Sequence, residues 1–219
     1  PLPDRQLCCA PARSPEGREY FAAMAAAANF AWANRQLILE LARRALEHAL
    51  RISAFELGAR HVYDVAHNIA KFERHMVDGV EKELCVHRKG ATRSFPGERK
   101  EVPEKYRAVG QPVLVPGSMG TASYVCAGTQ TALDMTFGSC CHGAGRMMSR
   151  SKAKKGSDAG ELIRELERKG ISVMARSKAT LTEEAPEAYK NVDTVARVVH
   201  QAGVGRLVAR LRPLGVIKG

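Results

Sequence analysis

Residues 111–128, QPVLVPGSMGTASYVCAG, decide the fold, because two short apolar runs flank a centre that is rich in turn-forming residues. Each run is β-branched or aromatic and bounded by Gly or Pro, which is typical of strands. The centre, PGSMGTAS, combines two glycines with three hydroxyl side chains. It predicts either a tight turn between strands or a loop whose backbone N–H groups bind phosphate. It lacks the Gly-Lys-Ser/Thr of a Walker loop.

The rest of the chain alternates between strand-like and helix-like segments. Short apolar runs predict strands at residues 61–66, 83–89, 171–177 and 205–219, and the Pro- and Gly-rich residues 94–110 predict a surface loop. Ser14, Pro15 and Glu16 form a helix-start pattern, which predicts a helix to about Ile52 with a break near Asn34. Further helices are expected at residues 158–169, 182–189 and 192–202. These segments predict one α+β domain with mixed or antiparallel sheets packed with helices.

The net charge, the cysteine spacing and the hydrophobic runs of the sequence limit the kinds of partner and location that are expected. The 219 residues carry 34 Lys and Arg against 23 Asp and Glu, a net charge of +11 that suits a polyanion such as nucleic acid. A basic surface without a specific partner would have the same composition. None of the six cysteines lies in a C-x-x-C pair, which disfavours a zinc knuckle and indicates reduced thiols in an intracellular protein. No membrane span is expected, because the most apolar early run is short and alanine-rich.

Residues 139–150, SCCHGAGRMMSR, contain two competing nucleophiles. Cys140 and Arg146 have the C-x5-R spacing of cysteine phosphatases, in which a thiolate attacks phosphate. His142 is the alternative, because an imidazole nitrogen can attack phosphorus and Gly143 and Gly145 would let backbone approach a ligand. Arg146 and Arg150 would lie one helical turn apart and favour phosphate.

Two further polar residues stand beside apolar runs. His67 precedes Asn68 after a predicted strand and could supply one metal ligand, although one histidine does not make a site. Lys218 lies near the end of an apolar strand, where it is either a solvated terminal lysine or a point charge for a phosphate.

Five segments together resemble the C-terminal half of the RtcB-type RNA ligases, the GTP-dependent tRNA-splicing ligases. They are VAHNIAK, CVHRKGATR, GQPVLVPGSMGTASYV, TFGSCCHGAGRMMSRSKA and LGVIKG, and they occur in order along the chain. The resemblance implies that residues 1–219 are the C-terminal portion of a single RtcB-like catalytic domain whose N-terminal half is absent.

The resemblance also implies a mechanism in which His142 becomes guanylylated by GTP. GMP then passes to an RNA 3′-phosphate, itself derived from a 2′,3′-cyclic phosphate, to give an RNA-(3′)pp(5′)G intermediate that a 5′-hydroxyl end attacks. These steps serve tRNA splicing and RNA repair. The positions that match the family's guanylate-binding residues are His67, Asn68, Pro116, Gly117, Ser118, Met119, Ser123, His142, Gly143, Ala144, Gly145 and Lys218. Arg146 and Arg150 would bind RNA or phosphate.

The resemblance implies two Mn²⁺ ions in the complete enzyme, of whose ligands only His67 is found here. An Asp-x-x-Cys or Gly-Asn-His-Phe segment, which would carry the others, is absent from the sequence, so the isolated chain is expected to be inactive. The expected partners are GTP and RNA, in the form of cleaved tRNA halves or broken RNA, and the expected location is the cytoplasm. A cysteine phosphatase and a non-catalytic basic RNA-binding module are the alternatives.

Overall fold

The computed structural model describes residues 3–156, 158–175 and 177–217, and the chain divides into two compact units, Pro1–Ile69 and Ala70–Gly219. The helices are α1 (Pro15–Leu50), α2 (Ala54–Leu57), α3 (Gln130–Thr136), α4 (Arg150–Gly156), α5 (Ala159–Arg168), α6 (Lys178–Glu183) and α7 (Val192–Gln201). The strands are β1 (Asn68–Val77), β2 (Val80–Lys89), β3 (Ala91–Arg93), β4 (Pro112–Pro116), β5 (Ser123–Ala127), β6 (Ser139–Cys141) and β7 (Arg206–Leu211). The predicted α+β class is confirmed, whereas the single catalytic domain stays a prediction.

The first unit is built on α1. The Ser14 hydroxyl accepts a hydrogen bond from the Gly17 amide, and Pro15 follows the cap, as the sequence pattern predicted. The predicted break near Asn34 is wrong, because no Gly or Pro interrupts the helix after Gly17 and asparagine alone costs little helix propensity. The helix ends at Leu50, and the next residue, Arg51, has a left-handed backbone with φ of 55°.

The predicted strand at residues 61–66 is also wrong, since this segment is irregular. Its Asp64 carboxylate instead accepts a hydrogen bond of 2.7 Å from Arg35 of α1. A second α1 side chain, Arg43, donates to the carbonyl of Ala59 at 3.0 Å. The segment is therefore held by side chains of a helix rather than by strand pairing.

The strands in the described part of the chain form three small sheets. β1 and β2 form a hairpin around the two-residue turn Asp78–Gly79, both of whose residues have positive φ. β3 pairs antiparallel with β6, and β4, β5 and β7 form an antiparallel sheet in that order. The two strands predicted within residues 111–128 are therefore confirmed as β4 and β5, which pair antiparallel.

The main core of the second unit lies between the three-stranded sheet and α7. Val113 and Val115 of β4 and Cys126 of β5 pack with Val192 and Val199 of α7. A second cluster joins Leu162 and Leu166 of α5 to Leu181 of α6. The helices predicted at residues 158–169 and 192–202 are confirmed as α5 and α7.

The predicted surface loop at residues 94–110 is confirmed as irregular backbone with one 3₁₀ turn at Glu104–Tyr106, but only part of it lies at the surface. Phe95 is fully buried and Val102 is 1% exposed. Gly97 allows the loop to fold closely on itself, because a Cβ at this position would lie 1.8 Å from the Arg107 carbonyl oxygen. The Pro and Gly content therefore marks irregular backbone correctly, and the loop covers a core with its buried residues while residues 98, 100, 103–105 and 107–109 are exposed.

Three other predicted segments are shorter or less regular in the structure than the sequence indicated. Residues 171–175 and 177 are irregular rather than a strand, and Ile171 and Val173 pack on the leucine cluster of α5 and α6. The C-terminal strand is only β7, and Pro213, which has no amide N–H for a ladder, follows soon after it. The helix predicted at 182–189 is instead α6 followed by a 3₁₀ turn at Pro186–Ala188.

Candidate functional site

His142 directly follows strand β6, so its backbone position is set by the pairing of β6 with β3. The paired residues are Ala91 with Cys141, Thr92 with Cys140 and Arg93 with Ser139. The His142 amide then donates to the Gly90 carbonyl at 3.4 Å, and the His142 residue is half-buried. The imidazole is thus carried at the end of a strand whose register is fixed.

The segment after His142 docks on the turn that follows β4. The Ala144 amide donates to the Pro116 carbonyl at 2.9 Å. Gly143 has φ of 124°, and a Cβ there would lie 3.1 Å from the Pro116 carbonyl oxygen, so the close approach requires glycine. Gly145 has φ of 74° and no neighbouring atom within 4 Å of a Cβ at its position. The structure therefore brings together the 142–145 and 116–118 segments, which only the family resemblance had placed in one set.

The Pro116–Ser118 turn is closed by its own hydrogen bonds. The Gly117 amide donates to the Ala122 carbonyl at 3.1 Å, and the Ser118 amide donates to the Thr121 hydroxyl at 2.8 Å. The Ser118 and Thr121 hydroxyls lie 3.1 Å apart. Two of the amides that the glycine-rich pattern offered to a phosphate are thus already engaged within the turn.

Two neighbours of this turn were also predicted to bind guanylate. Met119 packs against the leucine cluster of α5 and α6 and is partly buried. Ser123 begins β5, opposite Pro116 of β4, and is half-buried. Their guanylate-binding roles stay predictions.

Arg146 is held by its own chain. Its guanidinium donates to the Glu183 carbonyl at 2.6 Å and to the Tyr189 hydroxyl at 3.1 Å, and it lies 5.0 Å from the centre of the Tyr189 ring. It also forms a salt bridge of 3.5 Å with Glu184. A phosphate would have to compete with these groups, so the structure gives Arg146 a structural role beside the predicted one. Arg150 begins α4, and its side chain lies outside the described part of the structure.

The cysteine alternative is opposed by the geometry. Cys140 is 4% exposed and lies within strand β6, opposite Thr92, rather than in a phosphate-binding loop. A hydrogen bond with Cys141, together with burial, raises the pKa of the Cys140 thiol. A buried thiol that stays protonated is a poor nucleophile. The hydrogen bond from Cys140 lowers the pKa of Cys141, whose side chain is half-buried.

His67 and Asn68 lie in the first unit. Burial, and then the charge of Arg35, lower the pKa of the His67 imidazole and so favour its neutral form, which can donate a lone pair to a metal. Within residues 3–156, 158–175 and 177–217, no group of three or more His, Cys, Asp or Glu side chains could hold a metal ion. Lys218 lies outside the described residues.

A buried charged cluster in the second unit was not predicted from the sequence. Glu73 of β1 and Arg88 of β2 form a bidentate pair of two 2.8 Å hydrogen bonds, and His75 Nε2 lies 3.1 Å from the Glu73 carboxylate. The side chains of Arg88 and Glu73 are 1% and 3% exposed. The Asp78–Gly79 dipeptide could have predicted this cluster, because it is typical of a hairpin turn. Side chains alternate between the two faces of a strand, so a hairpin around this turn places Glu73 and His75 on the same, inward face.

No described helix, α1 included, combines the length and apolar character that a bilayer span requires.

Comparison with known proteins bears on the whole chain. The family profile described as tRNA-splicing ligase RtcB matches residues 1–219. The chain is 61% identical over 218 residues to the tRNA-splicing ligase RtcB of Archaeoglobus fulgidus and 55% identical over 219 residues to that of Thermococcus kodakarensis. All of this chain is covered in both comparisons, but only 45% of each relative. A third relative, from Methanocaldococcus jannaschii, is 56% identical and is covered over 22% of its length. The chain belongs to the RtcB family.

Proposed function

We propose that this chain forms part of an RNA ligase that joins RNA 2′,3′-cyclic phosphate or 3′-phosphate ends to 5′-hydroxyl ends. GTP is the second substrate, and His142 is the nucleophile that becomes guanylylated. The chain spans less than half the length of the relatives named above, so the proposal concerns the longer protein of which it would be a part. The expected substrates include cleaved tRNA halves, and a cytoplasmic location stays a prediction.

The observation that carries the proposal is the docking of the 142–145 loop on the Pro116 carbonyl. It fixes the backbone on both sides of the half-buried His142 residue through the Gly90 and Pro116 carbonyls. A nucleophile that is held in place before its substrate binds loses less entropy on reaching the transition state. A Cβ at Gly145 would meet no atom within 4 Å, so the loop that carries His142 has open space beside it, which suits a bulky nucleotide.

The proposed chemistry balances as a series of phosphoryl transfers. An imidazole nitrogen of His142 attacks the α-phosphorus of GTP, the bond from that phosphorus to the bridging oxygen breaks, and pyrophosphate leaves with the electron pair. Where the RNA ends in a 2′,3′-cyclic phosphate, water first adds to its phosphorus and the bond to the 2′-oxygen breaks, which leaves a 3′-phosphate and a 2′-hydroxyl. An oxygen of the RNA 3′-phosphate then attacks the phosphorus bound to His142 and releases the imidazole. The 5′-hydroxyl of a second RNA finally attacks the 3′-phosphorus, loses its proton and expels GMP.

Manganese fits this chain only in part. The neutral His67 imidazole is a suitable ligand, but the described residues contain no group of three ligands. Mn²⁺ would supply charge neutralisation to the phosphoryl groups, with other ligands outside this chain. His67→Ala should therefore weaken Mn²⁺ binding in the longer protein, as measured by titration calorimetry.

The test is covalent labelling of the longest natural polypeptide that contains these residues. With Mn²⁺ and α-labelled GTP, wild type should acquire an acid-labile and alkali-stable label, as a phosphoramidate does. His142→Ala should abolish the label. His200→Ala is the matched control, because His200 is exposed at the end of α7, and it should label as wild type does.

Two outcomes would overturn the proposal. Labelling that survives His142→Ala but disappears with Cys140→Ala would favour the thiol, in spite of its burial. A wild-type protein that binds RNA but acquires no label would favour the non-catalytic RNA-binding module, for which the net charge of +11 is the supporting observation.

A further inference from the structure

The guanidinium of Arg88 connects two parts of the second unit that are about 50 residues apart in sequence. On one side it is neutralised by the Glu73 carboxylate. On the other side its Nε donates to the Ser139 hydroxyl at 2.9 Å. A terminal nitrogen donates to the carbonyls of Phe137 and Gly138 at 2.9 and 3.3 Å. Arg88 thus joins the β1–β2 hairpin to the turn that precedes β6.

The turn that Arg88 holds has an unusual backbone. Phe137 and Gly138 are consecutive residues with left-handed φ values of 51° and 61°. Such a backbone is costly for phenylalanine and persists when its surroundings fix it. The Gly138 carbonyl also accepts a hydrogen bond of 2.7 Å from the Ser94 amide. Arg88 and Ser94 therefore fix the direction in which the chain enters β6.

The same stretch of chain holds the other end of β6. Gly90, two residues after Arg88, accepts the hydrogen bond from the His142 amide. The segment from Arg88 to Gly90 thus contacts β6 at Ser139, where it begins, and His142, which follows its end. A shift of Arg88 would change the position from which the His142 ring projects.

Stability alone is a weak reason to bury this pair. Removing two charges from water carries a large desolvation cost, and replacing a buried ion pair by apolar residues of similar volume is often neutral or stabilising. Burial by itself raises the pKa of Glu73, but the hydrogen bonds and charge of Arg88 outweigh it and hold the pKa below its usual value. Unlike an apolar pair, the guanidinium of Arg88 has several N–H groups in a fixed plane. It can therefore hold several hydrogen-bond acceptors in fixed positions at once.

We propose that Arg88, oriented by Glu73, is a positioning residue that fixes the turn at Phe137–Ser139 and thereby places His142 for reaction. The claim that Arg88 fixes the position of this turn depends only on the structure. Its consequence for guanylylation rests on the proposed function. Arg88 acts through the backbone of β6 and does not itself touch the nucleotide.

The test compares two double variants on the same hairpin. Arg88→Met with Glu73→Leu replaces the buried pair by apolar side chains. Arg74→Met with Glu81→Leu does the same to a matched pair that is joined at 2.8 Å but is 68% and 54% exposed. Amide hydrogen exchange of residues 139–144 in the folded proteins, covalent labelling by GTP, and urea unfolding are measured on each, in the longest natural polypeptide that contains the chain.

The buried-pair variant should unfold at a urea concentration close to that of wild type. Its 139–144 amides should exchange at least about tenfold faster, and its maximal labelling rate should fall about 10- to 100-fold with little change in the KM for GTP. A purely structural role would not separate the rate from KM in this way. The Arg74/Glu81 variant should match wild type in all three measurements.

Arg88→Lys covers the case in which the apolar variant does not fold. It keeps the charge beside Glu73 but loses the fork, so it should fold and show the same faster exchange and slower labelling. Wild-type exchange at 139–144 in a folded Arg88 variant would overturn the proposal, as would wild-type labelling beside a normally labelling control. If wild type itself acquires no label, the proposed function fails, and hydrogen exchange still decides the positional role of Arg88.

Discussion

Gly138 offers a sharp test of how the turn before β6 is packed. A Cβ at this position would lie 2.2 and 2.3 Å from two carbons of the fully buried Phe95 ring. Gly145 is a matched control, because its φ of 74° resembles the 61° of Gly138, whereas a Cβ there meets no atom within 4 Å. Comparing Gly138→Ala with Gly145→Ala therefore separates steric overlap from the cost of a left-handed backbone.

The expected magnitudes follow from these two terms. A left-handed alanine costs about 1–2 kcal/mol, which both variants lose. Overpacking a well-filled core adds about 1–3 kcal/mol in Gly138→Ala only. The Phe95 ring has little room to yield, since the guanidinium carbons of Arg93 and Arg99 lie 4.9 and 4.6 Å from its centre. Gly138→Ala should thus lower the free energy of unfolding by about 2–5 kcal/mol and Gly145→Ala by about 1–2 kcal/mol.

The assay is alkylation of Cys126, read by mass spectrometry of its peptide at a fixed pH. Cys126 is 1% exposed, and burial raises the pKa of its thiol to about 11, so it reacts when the second unit opens. At about 1.4 kcal/mol per tenfold change, Gly138→Ala should accelerate alkylation about 30- to several-thousand-fold, and Gly145→Ala about 5- to 30-fold. Equal acceleration in the two variants would refute the claim that Phe95 blocks a side chain at residue 138.

Three further predictions concern the second unit. The hydrogen bond from Cys140 lowers the pKa of Cys141, whereas burial raises the pKa of Cys85. Cys141 should therefore be alkylated faster than Cys85 at neutral pH, as measured by peptide mass spectrometry. The reverse order of rates would contradict this. The pKa of Glu73 is held below its usual 4.5, so its ionised form stabilises the fold above pH 4.5, and that contribution is lost as the pH falls through the lowered value. Urea midpoints should therefore drop below pH 4.5 in wild type and in a Glu167→Gln control, which changes an exposed residue of α5, but less steeply in Glu73→Gln. Thr136→Val removes a hydroxyl that hydrogen-bonds across the turn after α3 and should cost about 1–3 kcal/mol of unfolding free energy in urea titrations, with a smaller loss arguing against that role.

Local patterns predicted the elements whose determinants lie within a few residues. The Ser14 cap and the proline after it define the start of α1, and the hairpin at residues 111–128 carries its own turn. The strand predicted at residues 61–66 was wrong, and the surface loop predicted at 94–110 was wrong for its buried residues, for one reason. Their conformations depend on distant partners, namely Arg35 of α1 for Asp64 and Gly138 for Phe95. Strand propensity and the content of Pro and Gly are local properties of the sequence, so they cannot predict contacts with distant residues.

By itself, the sequence determined the α+β class, the family, and His142 as the candidate nucleophile. These conclusions depend on capping patterns, turn residues and motifs, each of which consists of residues close together in the chain. Only the tertiary structure decided that the Cys140 thiol is buried in a strand, that Arg146 is held by Glu183 and Tyr189, and that Arg88 connects the hairpin to the start of β6. Burial and hydrogen bonding between residues some 40 to 50 positions apart depend on how the chain packs, and no local pattern records that packing.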